Sequence, residues 1–109
     1  MHYDREFLSG TITVLLLGLL SERPMYGYEI LREAERRSGR EFQPKVGSVY
    51  PALHKMQRDG LLRSEWRQHE SGRQRKYYAL TGLGRRRARS KRMQWEQITA
   101  ALRAILSTT

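Results

Sequence analysis

Apolar residues recur along this chain at spacings that change from one stretch to the next, and each change marks a new element. Leu8, Ile12, Leu15, Leu16 and Leu19 fall on one helical stripe, widened by Phe7 and Val14, which predicts a first helix from about Asp4 to Leu20. Tyr26, Ile30, Leu31 and Ala34 mark a second, short amphipathic helix. It ends at Ser38-Gly39, with Arg36 and Arg37 in its last turn, where cations suit the helix dipole. Beyond Pro44, Val49, Leu53 and Met56 return at helical spacing, and Asp59-Gly60 supplies a stop. The third helix is therefore expected over about Val46 to Asp59, starting no earlier than Lys45 because Pro51 is tolerated only in or near a first turn.

From Leu61 to Trp66 and from Lys76 to Leu80 the composition turns strand-like, and the polar Glu-Ser-Gly-Arg between them places Gly72 where a turn needs positive φ. That is a β-hairpin with a basic tip. Thr81 then caps a last helix reaching about Leu106, whose apolar positions Trp95, Ile98, Leu102 and Ile105 are spaced three, four and three, the spacing of a seam for another helix. The predicted fold is mainly α with a small β-hairpin. It is a winged helix-turn-helix over residues 1–81, joined to a long C-terminal dimerisation helix over 82–109 as one compact unit.

Length and charge narrow the classes. A chain of 109 residues holds one modest core, and no repeat or low-complexity linker divides it. Twenty-one Lys and Arg against 11 Asp and Glu leave a formal charge of +10, which seeks a polyanion. The absence of Cys removes disulfides and thiolate metal sites. The apolar run from Phe7 to Leu20 is shorter than the ~20 residues of a membrane span, Asp4 and Glu6 spoil a basic flank, and no small-x-small cleavage site follows. A buried helix and a cytoplasmic protein with no membrane partner are expected.

In a winged helix the third helix enters the major groove and the wing reaches the backbone or minor groove. The candidate DNA contacts are Lys45, Ser48, Tyr50, Pro51, His54, Lys55 and Arg58 on or before that helix, and Arg73, Arg75 and Lys76 on the wing. Each has a plainer reading: an ordinary solvated helix face, or Lys and Arg guarding a strand edge. The run Arg85, Arg86, Arg87, Arg89, Lys91 and Arg92 surrounds the last helix and is either a solubilising collar or a contact for flanking phosphates. Leu8, Ile12, Leu15, Trp95, Ile98, Leu102 and Ile105 are the candidate dimer interface. Trp95 is by default a core or interface residue; its other reading, with Arg92 and Glu96 beside it, is a platform for a flat aromatic effector. Tyr26, Tyr28, Tyr77 and Tyr78 are expected to fill the junction of helix and sheet, with Tyr50 outside. His2, His54 and His69 form no catalytic or metal-ligand constellation and no phosphate-cradling glycine loop is present, so neither an enzyme, a metal site nor a cofactor is expected.

Pro24-Met25-Tyr26-Gly27-Tyr28-Glu29-Ile30, Gly47-Ser48-Val49-Tyr50-Pro51-Ala52-Leu53-His54, Gly60-Leu61-Leu62 and Gly72-Arg73-Gln74-Arg75-Lys76-Tyr77-Tyr78-Ala79-Leu80-Thr81 occur in that order, and with them the chain resembles the PadR family from about Leu8 to Trp95. The resemblance implies a homodimer formed by the first and last helices, bound to a roughly palindromic operator on double-stranded DNA, usually as a repressor released by a small molecule. It places Ser48, Tyr50, Pro51 and His54 on the DNA-reading helix, and Arg73 and Lys76 on the wing. The single C-terminal helix is similar to the short subfamily, some members of which bind flat compounds between their last helices, and Trp95 matches that pattern. The Arg85 to Arg92 run departs from it and points toward an anionic ligand. Two other functions remain open on the residues alone: a nonspecific or architectural DNA binder, and a protein-interaction adaptor whose seam helix pairs with a partner.

Overall fold

Gly10 stands at φ 84°, outside the helical region, and helix α1 (Thr11–Leu20) begins directly after it. The computed structural model describes Tyr3, Leu8 and residues 10–107. The start expected at Asp4 and the flanking Phe7 lie outside the described residues, and Gly10 interrupts the single helix that the apolar stripe implied. Leu16, Leu17, Leu19 and Leu20 are all buried, so α1 uses more than one stripe. It has to, because it packs against the third helix, the sheet and the last helix at once.

Met25 and Tyr26 form a short strand, β1, that the sequence pattern did not announce; two residues carry no readable alternation. Helix α2 (Gly27–Arg37) follows at once, with the Glu29 carboxylate accepting the Tyr26 N–H at 3.4 Å. It ends as expected at Ser38, with Gly39 at φ 62°. Helix α3 (Val46–Arg58) has Lys45 as its N-cap, which puts Pro51 in the second turn. Pro51 has no N–H for the Gly47 carbonyl, but Gly47 is exposed and water can take that bond. Gly60 at φ 78° closes α3, and the Leu61 N–H returns to the Met56 carbonyl at 2.9 Å.

Strands β2 (Leu62–Gln68) and β3 (Gln74–Leu80) run two residues further toward the tip than their apolar ends suggested, because polar side chains there keep the ladder without needing burial. Sheet order is β1-β3-β2, all antiparallel, so the expected two-stranded wing carries a third strand, with Met25 beside Tyr78 and Tyr26 beside Tyr77. The core lies between this sheet and the helices: Leu16, Leu17, Met25, Ile30, Val49, Leu53 and Tyr78 are each at most 1% exposed. Thr81 joins sheet to helix α4 (Gly82–Leu106). Its hydroxyl donates to the Gly60 carbonyl at 2.6 Å and accepts the Gly84 N–H at 3.0 Å. At 25 residues α4 is ~37 Å long.

Candidate nucleic-acid interface

Helix α3 is built with two sides. Val49, Leu53 and Met56 turn into the core, while Ser48, Pro51, His54, Lys55 and Arg58 are exposed, with Lys45 exposed at the cap. At ~100° per residue, Ser48, Pro51, Lys55 and Arg58 share one ridge and His54 lies at its edge. Lys55 is held by Asp59 at 2.8 Å, which draws the Asp59 carboxyl below its ordinary range. Tyr50 does not join the ridge. It sits ~60° from Leu53, half-buried, against Gly27 at the start of α2, with the His54 ring 6.4 Å away. The expectation of an outward Tyr50 is corrected by that packing. Tyr28, expected inside, is instead 55% exposed, with Arg32 over its ring at 4.9 Å, because the helix turns it away from Ile30.

The hairpin has two chemically different faces. On one, Leu62 and Leu80 are buried, Ser64 donates to Gln57 of α3 at 3.2 Å, Tyr78 is buried opposite Ser64, and Trp66 pairs with Lys76. Lys76 lies over the Tyr78 ring at 5.6 Å. On the other, Arg75 covers the Tyr26 ring at 5.3 Å with its Nε buried and unbonded, and Arg67 covers Tyr77 at 5.0 Å. Of the wing cations named from sequence, Arg73 is exposed, whereas Arg75 and Lys76 are half-buried with their charged heads over tyrosine rings.

At the tip Gly72 takes φ 88°, and the His69 N–H donates to the Arg73 carbonyl at 2.8 Å. The His69 Nδ1 accepts the Ser71 N–H at 3.1 Å. That assignment leaves the proton on Nε2, 3.4 Å from the Tyr26 oxygen, which also accepts from Arg32 at 3.0 Å. Tyr26, Arg32 and His69 thus tie the wing tip to α2, a connection between distant positions that no local pattern signals.

Residues 16–90 match the transcriptional regulator PadR-like family. The chain belongs to it. The PadR-like chain is 30% identical over 94 residues to transcriptional regulator Rv3488 of Mycobacterium tuberculosis, covering 86% of this chain and 84% of that protein. It is also 30% identical over 101 residues to transcriptional regulator YqjI of Escherichia coli, a match that covers 93% of this chain but 47% of that protein. Its fold superposes on the crystal structure of a PadR family transcription regulator from Clostridium difficile R20291 with a TM-score of 0.74 at 33% identity, over 89% of this chain and 99% of that one. The PadR-like chain is accordingly a transcriptional regulator, with the long C-terminal helix present.

Its second feature is a groove of about 830 Å³ between α1, the end of α2 and α4. Val14, Leu15 and Gly18 form one wall, Trp95 the other, and Arg92 and Glu96 line it, their side chains 3.4 Å apart. All three effector candidates therefore share one cavity. Arg85, Arg89 and Lys91 from the basic run line it too, while Arg86 and Arg87 do not, so the run divides between the groove and the outside. Of the dimer candidates, Leu8, Ile12 and Leu15 are half-buried, with Ile12 and Leu15 packed against the core of their own chain. Trp95, Ile98 and Leu102 are 46–48% exposed along α4, and Ile105 is 63% exposed. Among the described residues, no helix is long and apolar enough to cross a membrane.

Proposed function

We propose that this PadR-family regulator is a cytoplasmic homodimer that binds a roughly palindromic operator in double-stranded DNA and acts as a repressor released by a small aromatic effector. The observation that supports it best is the ridge of α3. A small domain has spent one face of this helix on its core and left Ser48, His54, Lys55 and Arg58 exposed on the other, in a chain of charge +10. Such a ridge offers hydrogen-bonding groups for base edges and cations for phosphates. The exposed Arg73 at the hairpin tip supplies a second anchor, and two copies related by a two-fold axis would present two ridges to successive major grooves about 34 Å apart.

The exposed apolar seam of α4 supports the dimer, since a small domain rarely leaves Trp95, Ile98 and Leu102 in water without a use for them. The groove lined by Trp95, Arg92 and Glu96 supports the effector site, and its flanking arginines favour an aromatic anion. Occupying it would bias the angle of α4, and through the dimer the distance between the two ridges, so effector and operator would each change the other's affinity by the same factor.

The test is to capture fragments of the organism's own DNA on the purified protein and sequence them, then compare variants on the retained site. Arg73→Ala should weaken binding to all sequences alike and lower the salt slope by about 0.9 per lost phosphate contact, whereas Ser48→Ala or His54→Ala should change base preference by about 1–3 kcal/mol per base pair. Equal affinity for every sequence at fixed salt makes the protein a nonspecific binder. No retained DNA makes it an interaction adaptor.

A further inference from the structure

Trp66 lies on the hairpin with 66% of its surface exposed, and neither the core nor the α4 seam uses it. Strand alternation fixes which way it faces. Leu62, Ser64 and Trp66 lie on one side of β2, paired with Leu80, Tyr78 and Lys76. Leu62, Leu80 and Tyr78 are buried against the helices, and Ser64 is bonded to Gln57 near the end of α3. The next residue outward on that same side is Trp66. The indole therefore stands one step nearer the tip than the Ser64–Gln57 bond, on the side of the sheet where α3 lies, with Lys76 directly across the ladder.

We infer that Trp66 is a DNA-contact residue whose indole packs on the sugar-phosphate backbone running between α3 and the wing. The inference rests on the DNA-binding reading above. A cross-strand partner for Lys76 would account for one edge of the ring, but it leaves most of the indole in water. Such a ring offers a flat apolar surface for a deoxyribose and one N–H donor for a phosphate oxygen, and Lys76 beside it supplies charge. The charge beside it selects the partner: Lys76 stands across the ladder from Trp66 on the same face of a chain of charge +10, which suits a polyanion better than an apolar protein surface.

An apolar contact has a signature that a cation does not share, because it releases no counterions. On a DNA fragment retained by the wild-type protein, Trp66→Ala should lower affinity on the order of tenfold at every salt concentration, leaving the slope of log K against log salt parallel to wild type. Lys76→Ala should instead reduce that slope. Trp66→Phe, which keeps a flat ring, should recover part of the loss. With 5-fluorotryptophan incorporated, the chain's two tryptophans give two fluorine resonances, the Trp66 line being the one missing in Trp66→Phe. That line should shift when the DNA is added. An unmoved Trp66 line, or a Trp66→Ala protein that melts like wild type and binds with unchanged affinity, overturns the contact while leaving the DNA-binding reading intact. A wild-type protein that retains no DNA overturns both.

Discussion

The Tyr50 phenol rests against Gly27 so closely that a β-carbon at Gly27 would overlap the ring. This contact sets where α3 sits on the first turn of α2, and it explains why a tyrosine expected on the outside is half-buried. Alanine in a helix is ordinarily better than glycine by about 1 kcal/mol. Here the sign should reverse: Gly27→Ala is expected to lower stability by about 1 kcal/mol and to weaken operator binding through a displaced α3. In a Tyr50→Ala background the same change should cost nothing further, which a double-mutant cycle of thermal unfolding measures.

Gly84 faces a harder obstacle. A β-carbon there would meet the Leu61 carbonyl, a backbone atom already accepting the Thr81 N–H at 3.0 Å. Unlike a tyrosine ring, that carbonyl cannot swing aside. Gly84→Ala should destabilise by about 1–3 kcal/mol despite the gain in helix propensity, and differential scanning calorimetry should show the melting temperature falling by about 4–8 °C for each kcal/mol.

Acid should unfold the protein partly through Glu33. Hydrogen bonds from Arg36 and then Arg37 hold its carboxyl down at about 2, and Arg37 also draws down Glu22. A carboxylate with a depressed folded-state pKa contributes stability above its ordinary value of 4.5 and loses it as pH falls toward about 2. Melting temperature followed from about pH 6 to pH 2 should therefore drop across that window, and Glu33→Gln should melt lower at pH 6 with a shallower acid limb. Equal slopes in the two proteins would show that the ion pairs around Glu33 do not contribute.

The α4 seam predicts the oligomeric state. Introducing Glu at Ile98 and Leu102 together would place two carboxylates in each apolar seam, so sedimentation velocity should show a dimer becoming a monomer. A monomeric wild type at micromolar concentration would remove the dimer and, with it, the two-fold operator.

Flat aromatic carboxylates should quench or shift tryptophan emission on entering the groove and weaken operator binding at the same concentrations. Trp95→Ala should reduce their affinity, and Arg92→Gln should reduce it more for anionic than for neutral analogues of the same shape. Undiminished affinity in Trp95→Ala would leave that indole a packing residue.

Elements with a period long enough to read are legible in the sequence. Val49, Leu53 and Met56 marked the inner face of α3, Thr81 the start of α4, and Ser38-Gly39 and Asp59-Gly60 the ends of α2 and α3, because capping and amphipathicity are written in neighbouring residues. The basic ridge followed from the inner face by exclusion. The grouping of Arg92, Trp95 and Glu96 was legible too, as neighbours on one side of α4.

Tertiary structure decided what depends on residues far apart. Strand β1 exists because Met25 and Tyr26 find Tyr78 and Tyr77 about fifty positions along, and a two-residue strand has no pattern of its own. Tyr50 is half-buried and Tyr28 exposed, against expectation, because each lies at the flank of its helix, where the neighbouring element and not the period settles burial: Gly27 makes room for one, and the other stays 55% exposed with only Arg32 described over its ring. Trp66 shows the same limit, since alternation gives the face it shares with Leu62 and Ser64, but that Leu62 is buried, Ser64 half-buried and Trp66 66% exposed depends on the packing of other elements. Local sequence determines which segments are helix or strand and which side is apolar, because those energies are set within a turn or two. Where that side stops being covered is a property of the partner element, and the fold alone supplies it.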